Sequence, residues 1–336
     1  MKFPPKISII VPCRNEARHI EAGVRSMLAQ EIPEGGMEIL VADGMSDDGT
    51  REVLQRLAAH HSSLQVLDNP RKITSSGLNV AIRAAKGDII IRMDAHTEYA
   101  PDYVMRCRET LEKTGADNVG GPARTKPKGF IQRAICAAYH TLCVVGGARF
   151  HSVDYEGELD TVTYGCWARS SFDRFGLFDE SLVRNEDDEH NLRIIKGGGR
   201  VWQSPAIMSW YIPRGSLKSL FVQYFQYGYW RVRVIQKHRS IVSIRHLVPG
   251  ALVLVLLLLL LIAPVRHTAP VALYIAFSLY GLYLLAASVL AARGSGWSLI
   301  FPLPLVVATF QISYGLGFLL GIFDLVFRNQ MGAGCK

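Results

Sequence analysis

The chain has 336 residues, with 37 Lys and Arg against 29 Asp and Glu and a formal net charge of +8. That length is ample for a large core and suggests two units. After Glu189 the one acidic residue is Asp324, against fourteen Lys and Arg, so carboxylate chemistry is confined to the chain up to that point.

Met1–Lys6 leads straight into an apolar strand, Ile7–Val11, and no leader segment is read there. Pro12-Cys-Arg-Asn-Glu16 follows, then a helix with Ile20, Val24, Met27 and Leu28 on one face. A second strand, Met37–Ala42, runs into the polar turn Asp43-Gly-Met-Ser-Asp-Asp48-Gly-Thr50. Asp47, Asp48 and Thr50 suit capping of the next helix, marked by Val53, Leu54, Leu57 and Ala58. Asp43 ends the strand itself and is harder to explain as a cap. A third strand spans Leu64–Leu67, and a helix from about Ser76 to Ala85 closes at Gly87, a suitable C′ residue. The next strand is Asp88–Met93. Strand and helix alternate at short spacing, which predicts an α/β fold with a doubly wound, mostly parallel sheet.

Ile89, Ile90 and Ile91 read as strand buried on both faces, ending in Asp94 and His96. Two residues apart on extended chain, the carboxylate and imidazole fall on one side. At the carboxyl end of a buried strand, where open sheets bind ligands, that pair suits a divalent cation. It equally suits a plain polar turn. A nucleotide needs acceptors of this kind, because ribose hydroxyls and a base N–H donate to carboxylates and a diphosphate needs a cation.

Asp117–Gly121 is expected to be a further strand. Ile131–Gly147, apolar but carrying Arg133 and His140, is short for a membrane span and suits an interfacial or core helix. Glu186, Asp187, Asp188 and Glu189 crowd the start of a helix, where acids also favour the dipole. Gly197-Gly-Gly199 reads as a helix end and turn before a strand at Arg200–Gln203. The six cysteines, at positions 13, 107, 136, 143, 166 and 335, have no paired or metal-ligand spacing and are expected to be reduced thiols.

Leu247–Val265, Val271–Ala292 and Leu299–Phe323 contain no charged residue. Each meets the requirement of roughly 20 apolar residues for a span. Pro302, Pro304, Gly315, Gly317 and Gly321 could break the third run or make it re-entrant. Arg231, Arg233, Lys237, Arg239 and Arg245 form a basic flank ahead of the first run, expected on the cytoplasmic side. The expected location is therefore the inner membrane, multi-pass, with the first unit facing the cytoplasm. The expected partner is a membrane and no nucleic acid.

Four motifs in order carry a resemblance: Ile9-Ile-Val-Pro-Cys-Arg-Asn-Glu16, Asp43 to Thr50, Asp94-Ala-His96 and Asn185-Glu-Asp-Asp188. Over roughly residues 5–235 the chain resembles a family 2 glycosyltransferase of the GT-A fold, most like the ExoA type of succinoglycan biosynthesis. The resemblance implies an inverting, metal-dependent sugar transfer from a nucleotide-diphosphate sugar, expected to be UDP-linked, in exopolysaccharide or cell-envelope glycan synthesis. The implied acceptor is a polyprenyl-diphosphate-linked sugar or polysaccharide. Asp187, with Glu186, is implied to supply the base. Pro12, Glu16, Asp43, Asp48 and Asp94 are implied to bind the nucleotide sugar, and Asp94 and His96 to hold Mn²⁺ or Mg²⁺. Tyr164, Gly165, Gln226 and Trp230 fall on the acceptor side. The implied division is a transferase domain over residues 1–235, a basic segment 236–246, a membrane region 247–327 and a tail 328–336.

Two positions depart from the family pattern. His96 replaces the second Asp of the metal motif, which favours Mn²⁺ over the harder Mg²⁺. Gln226-Tyr-Gly-Tyr-Trp230 has Tyr229 where processive synthases have Arg, which favours addition of a single sugar. A processive synthase remains the nearest alternative, although three helices are few for a product channel. A nucleotidyltransferase would want a glycine in the loop after the first strand. A non-catalytic membrane scaffold leaves Asp43, Asp94 and Asp187 without a purpose.

Overall fold

The computed structural model of the chain describes residues 6–241, 243–265 and 269–333. The chain divides into two compact units, Met1–Thr125 with Arg149–Ile212, and Lys126–Ala148 with Pro213–Lys336.

In the first unit, β1 (Ile7–Cys13), β2 (Met37–Asp43), β3 (Leu64–Asp68) and β4 (Ile89–Arg92) alternate with α1 (Ile20–Leu28), α2 (Thr50–His60) and α3 (Thr74–Ala84). Next come β5 (Thr97–Tyr99), α4 (Tyr103–Thr114), β6 (Asn118–Gly121) and β7 (Arg124–Thr125). The chain then leaves for the second unit with α5 (Phe130–Tyr139) and α6 (Leu142–Val145). It returns as β8 (Gly157–Glu158), β9 (Thr163–Ala168), α7 (Arg169–Phe175), α8 (Glu186–Lys196), β10 (Val201–Gln203) and β11 (Ser209–Tyr211).

Eight strands form one sheet in the order β3-β2-β1-β4-β9-β6-β10-β8. The β3-β2-β1-β4 half is wholly parallel, and β9 runs antiparallel to both its neighbours. Alternate residues explain why the strands read as continuous apolar runs. Ile7, Ile9, Val11, Ile39, Val41, Ile89 and Ile91 join one buried cluster, while Ile10, Leu40, Ala42 and Ile90 join another. Both faces are covered, as parallel sheets require. A second sheet, β5-β11-β7, was not foreseen, because its strands span two or three residues each.

Two local readings change and a third holds. Gly87 is not a helix C′ residue: α3 ends at Ala84, and Gly87 instead lets the chain pass against the backbone of Lys6 and Ser8. Asp94 and His96 are not on extended chain, because β4 stops at Arg92 and residues 95–96 turn, so strand periodicity does not set the direction of their side chains. Gly197-Gly-Gly199 is a helix end as expected, with Gly198 at φ +77 and the Gly199 N–H donating to the Ile194 carbonyl at 2.8 Å.

The second unit contains α9 (Leu217–His238), α10 (Val248–Ile262), α11 (Ala269–Ser295) and α12 (Leu303–Ala333) together with α5 and α6. Three segments, Ile244–Ile262, Pro270–Ser295 and Leu303–Phe327, are long and apolar enough to cross a membrane. The glycines of α12 do not break it. They let α9 approach: a Cβ on Gly317 would collide with the Phe225 carbonyl, and one on Gly228 with that of Tyr314. Helix α9, grouped with the transferase domain on sequence, thus packs along α12. Arg231, counted in the basic flank, is buried on that helix. The five described cysteines are free thiols, and Cys335 lies outside the described residues.

Candidate active site

Parallel pairing brings the carboxyl ends of β1, β2 and β4 to one edge, with Cys13 opposite Asp43 and Ile10 opposite Arg92. Pro12 sits in that edge, half-buried and opposite Ala42. The loops after β1 and β2 are stitched together. Asn15, held at φ +55, exchanges hydrogen bonds with Asp47, donating its side-chain amide at 2.9 Å and accepting the Asp47 N–H at 3.1 Å. The Glu16 N–H donates to Thr50 Oγ1 at 2.8 Å, and the Ala17 N–H to Asp48 at 3.1 Å.

Asp48 also accepts from the Thr50 hydroxyl and the Thr50 N–H. The hydroxyl bond is the main reason its carboxyl lies below the usual aspartate range. Asp43 has a more internal place than its motif suggests. It is fully buried, accepts from Ser46 Oγ, and pairs with Arg51 at 3.2 Å. Arg51 in turn pairs with Asp68. Asp43 therefore fixes the loop, while Asp47 and Asp48 form its exposed rim.

Helix α1 supports the turn after β4 directly. Gly23 has no room for a Cβ, which would collide with the Ala95 carbonyl. On that turn His96 Nδ1 lies 3.5 Å from Glu16 Oε1. The Asp94 N–H donates to the Tyr99 hydroxyl at 2.6 Å. Among the described residues no group of three or more His, Cys, Asp or Glu is arranged to hold a metal by itself. Asp94 and His96 offer a carboxylate and an imidazole. A cation bridging to phosphates needs few protein ligands, since phosphate oxygens and water fill the remainder. A carboxylate behind a ligating histidine is a common second contact, and Glu16 occupies that place. The donor set fits a divalent cation shared with a diphosphate.

Arg92 joins this turn to α8. Its Nε donates to Asp94 Oδ1 at 3.0 Å and its Nη1 to Glu186 Oε1 at 3.3 Å. Its side chain is 9% exposed and that of Glu186 8%. Sequence reasoning missed Arg92. The available signal was an arginine closing an otherwise apolar strand, which requires a buried counter-charge.

Helix α8 starts at Glu186 after Asn185, which is held at φ +61. Glu189 pairs with Arg193 one turn on, so it is committed within the helix. Asp187 is different. Burial, then the Asp188 and Glu186 carboxylates, push its pKa up to about 7, against an opposing pull from Arg92. A carboxyl titrating there can accept a proton at neutral pH.

Tyr164 stands beside Asp94 and Arg92, and burial followed by the Asp94 charge holds its phenol well above the usual range. Its backbone is left-handed, φ +62, and its hydroxyl shares a hydrogen bond with Thr97 Oγ1. Gly165 follows at φ +125, where a Cβ would strike Trp167. Strain of this kind clusters at functional sites. Glu16, Asp43, Asp48, Asp94, His96, Tyr164, Gly165, Glu186 and Asp187 thus all belong to the first unit, whereas Gln226 and Trp230 lie on α9 in the second. There the Tyr229 hydroxyl donates to Asp324 at 2.7 Å.

Residues 8–167 match the family described as Glycosyl transferase family 2. Succinoglycan biosynthesis protein ExoA of Rhizobium meliloti (strain 1021) is 35% identical over 254 residues, covering 72% of this chain and 74% of that protein. A dolichyl N-acetyl-alpha-D-glucosaminyl phosphate 3-beta-D-2,3-diacetamido-2,3-dideoxy-beta-D-glucuronosyltransferase of Methanococcus voltae is 28% identical over 239 residues, 69% of this chain and 74% of that one. Among solved structures, a mannosyltransferase from Pyrobaculum calidifontis, in complex with GDP-Man and Mn²⁺, has a TM-score of 0.62 at 19% identity over 95% of this chain and 88% of that one. At that identity the likeness shows the fold.

Proposed function

Because the chain belongs to glycosyl transferase family 2 and has a GT-A-like sheet, we propose that it is an inverting, cation-assisted transferase. In this reading it moves a sugar from a nucleotide-diphosphate donor to a lipid-linked glycan acceptor. The observation that carries this reading is the convergence of Glu16, Asp94 and His96 on the sheet edge, with Arg92 linking Asp94 to the start of the helix that bears Asp187.

Asp187 accepts the proton of the attacking acceptor hydroxyl as the oxygen bonds to the anomeric carbon and the bond to the diphosphate breaks. General-base catalysis of this kind contributes ~10²–10⁴-fold. Asp94 and His96 would hold the cation, which supplies Lewis acidity to the departing diphosphate when bound. Glu16 and Asp48 receive the nucleoside, with Asp43 and Pro12 shaping the loops behind them. Tyr164 and Gly165 line the acceptor side. Glu186, engaged by Arg92, positions the base and does not share its role.

The donor is read as UDP-linked on the resemblance, with a guanosine donor as the rival because the Pyrobaculum enzyme was solved with GDP-Man. A lipid acceptor is supported by the dolichyl-linked acceptor in the name of the Methanococcus relative and by the three apolar helices. The basic residues ahead of α10 support a first unit facing the cytoplasm, at the inner membrane. Tyr229, at the position of the processive-synthase arginine and bonded to Asp324, supports single-sugar addition.

Full-length protein in detergent, given UDP- and GDP-sugars with Mn²⁺ and a polyprenyl-diphosphate-linked sugar, tests the reading. Acceptor-dependent release of nucleoside diphosphate from one donor is expected. No release from any donor, or repeated addition to one acceptor, overturns it.

A further inference from the structure

A guanidinium with so little exposure, shared between two carboxylates on separate elements, is costly unless the arrangement is used. Arg92 is such a group: it closes β4 and touches both Asp94 after β4 and Glu186 on α8, the residue next to the proposed base. We propose that Arg92 is a positioning residue for the transfer reaction, fixing the Asp94 carboxylate against the start of α8 and setting the charge around Asp187. The inference rests on Asp187 as the base.

The groups around Asp187 define what Arg92 does. Asp188 and Glu186 act on it from its own helix with negative charge, and Arg92 acts on it from the sheet with positive charge. Asp94 faces Arg92 from the turn after β4, and Tyr164 of β9 lies beside both. Tyr99, donated to by the Asp94 N–H, and Tyr211 complete the surroundings through Asp94 and Tyr164. Burial holds the Tyr99 and Tyr164 phenols above their usual range, so the charges acting on Asp187 are those of Asp188 and Glu186 against that of Arg92. A neutral residue at position 92 would leave Glu186 without its counter-charge, and Asp187 would hold its proton to higher pH. Lysine keeps the charge, but its compact ammonium cannot span both carboxylates as a planar fork does.

The test uses full-length Arg92→Gln, Arg92→Lys, Glu186→Gln and Asp187→Asn, each checked by thermal melting and by binding of UDP with Mn²⁺. The readout is the pH dependence of kcat/KM for transfer. Arg92→Gln should move the acid limb to higher pH, giving about a tenfold loss near pH 6.5 that shrinks above pH 8, since a one-unit shift is tenfold in ionised base. Arg92→Lys should lower kcat while leaving the limb near wild type. Glu186→Gln, which removes a negative neighbour, should move the limb to lower pH. A purely structural role predicts lower activity with an unmoved limb. A folded Arg92→Gln with the wild-type limb, or a lysine variant shifted as far as the glutamine one, overturns the inference. If the glutamine variant does not fold or turn over, Glu186→Gln decides: no downward shift overturns it. If Asp187→Asn stays active, the base assignment fails instead.

Discussion

Burial and the neighbouring Asp188 and Glu186 carboxylates keep Asp187 protonated through a range where an ordinary aspartate, near 3.8, is ionised. Two consequences have opposite signs. The folded chain binds more protons than the unfolded chain between about pH 4 and 7, so this group's stabilising contribution is full below that window and is lost as pH rises through it. Catalysis needs the ionised form, so kcat/KM should rise through about pH 7. An acid limb near pH 4 would show that Asp187 is not the titrating base. His96 makes a second residue-scale prediction. His96→Asp should keep turnover while shifting preference from Mn²⁺ towards the harder Mg²⁺, read as kcat in each ion after chelation. Full activity of wild type in excess EDTA would remove the cation role from Asp94 and His96. The motifs around Asp43 and Asp94 were legible because they are polar turns that follow apolar strands. Arg92 was not, because its significance depends on Glu186, 94 positions away.

Among the elements, β1 to β4 were legible because fully covered strands leave apolar runs bounded by polar turns. The short β5-β11-β7 sheet left too few residues for a pattern. The α5–α6 excursion was read as an interfacial or core helix from its composition, but its membership of the second unit is a long-range fact that no local signal encodes. Helix α1 was legible by its face, yet Gly23 gave no hint that it abuts Ala95. Gly23→Ala should force α1 away from the turn bearing Asp94 and His96, at a cost of about 1–3 kcal/mol. Thermal melting should register that cost, and binding of UDP with Mn²⁺ should weaken with it. Unchanged melting and binding would show that the turn does not depend on α1.

Over the whole chain, charge divides with the units: the second holds fourteen Lys and Arg and one acid. Arg231 is buried on α9, so in the proposed reading contact with lipid would fall to Arg233, Lys237, Arg239 and Arg245. Each basic residue near an anionic surface contributes about 1 kcal/mol. Lys237 and Arg239 are exposed. Lys237→Glu with Arg239→Glu should therefore reduce transfer to a long-chain acceptor in anionic vesicles by about tenfold or more, but not transfer to a short soluble analogue. Equal loss on both substrates would place these residues in the fold and not at the lipid surface. Truncation after His246 would be a poor probe of that role. It removes α12, and so exposes the α9 surface that packs on it.

The most direct test of a proton-accepting Asp187 is single-turnover transfer by full-length Asp187→Asn at saturating donor, with donor affinity measured in parallel. The amide keeps the shape and cannot take the proton. The rate should fall by at least about 10²-fold while donor affinity stays within about twofold of wild type. Transfer within about tenfold of wild type would contradict the account and move the search for the base to Asp188 or Glu186.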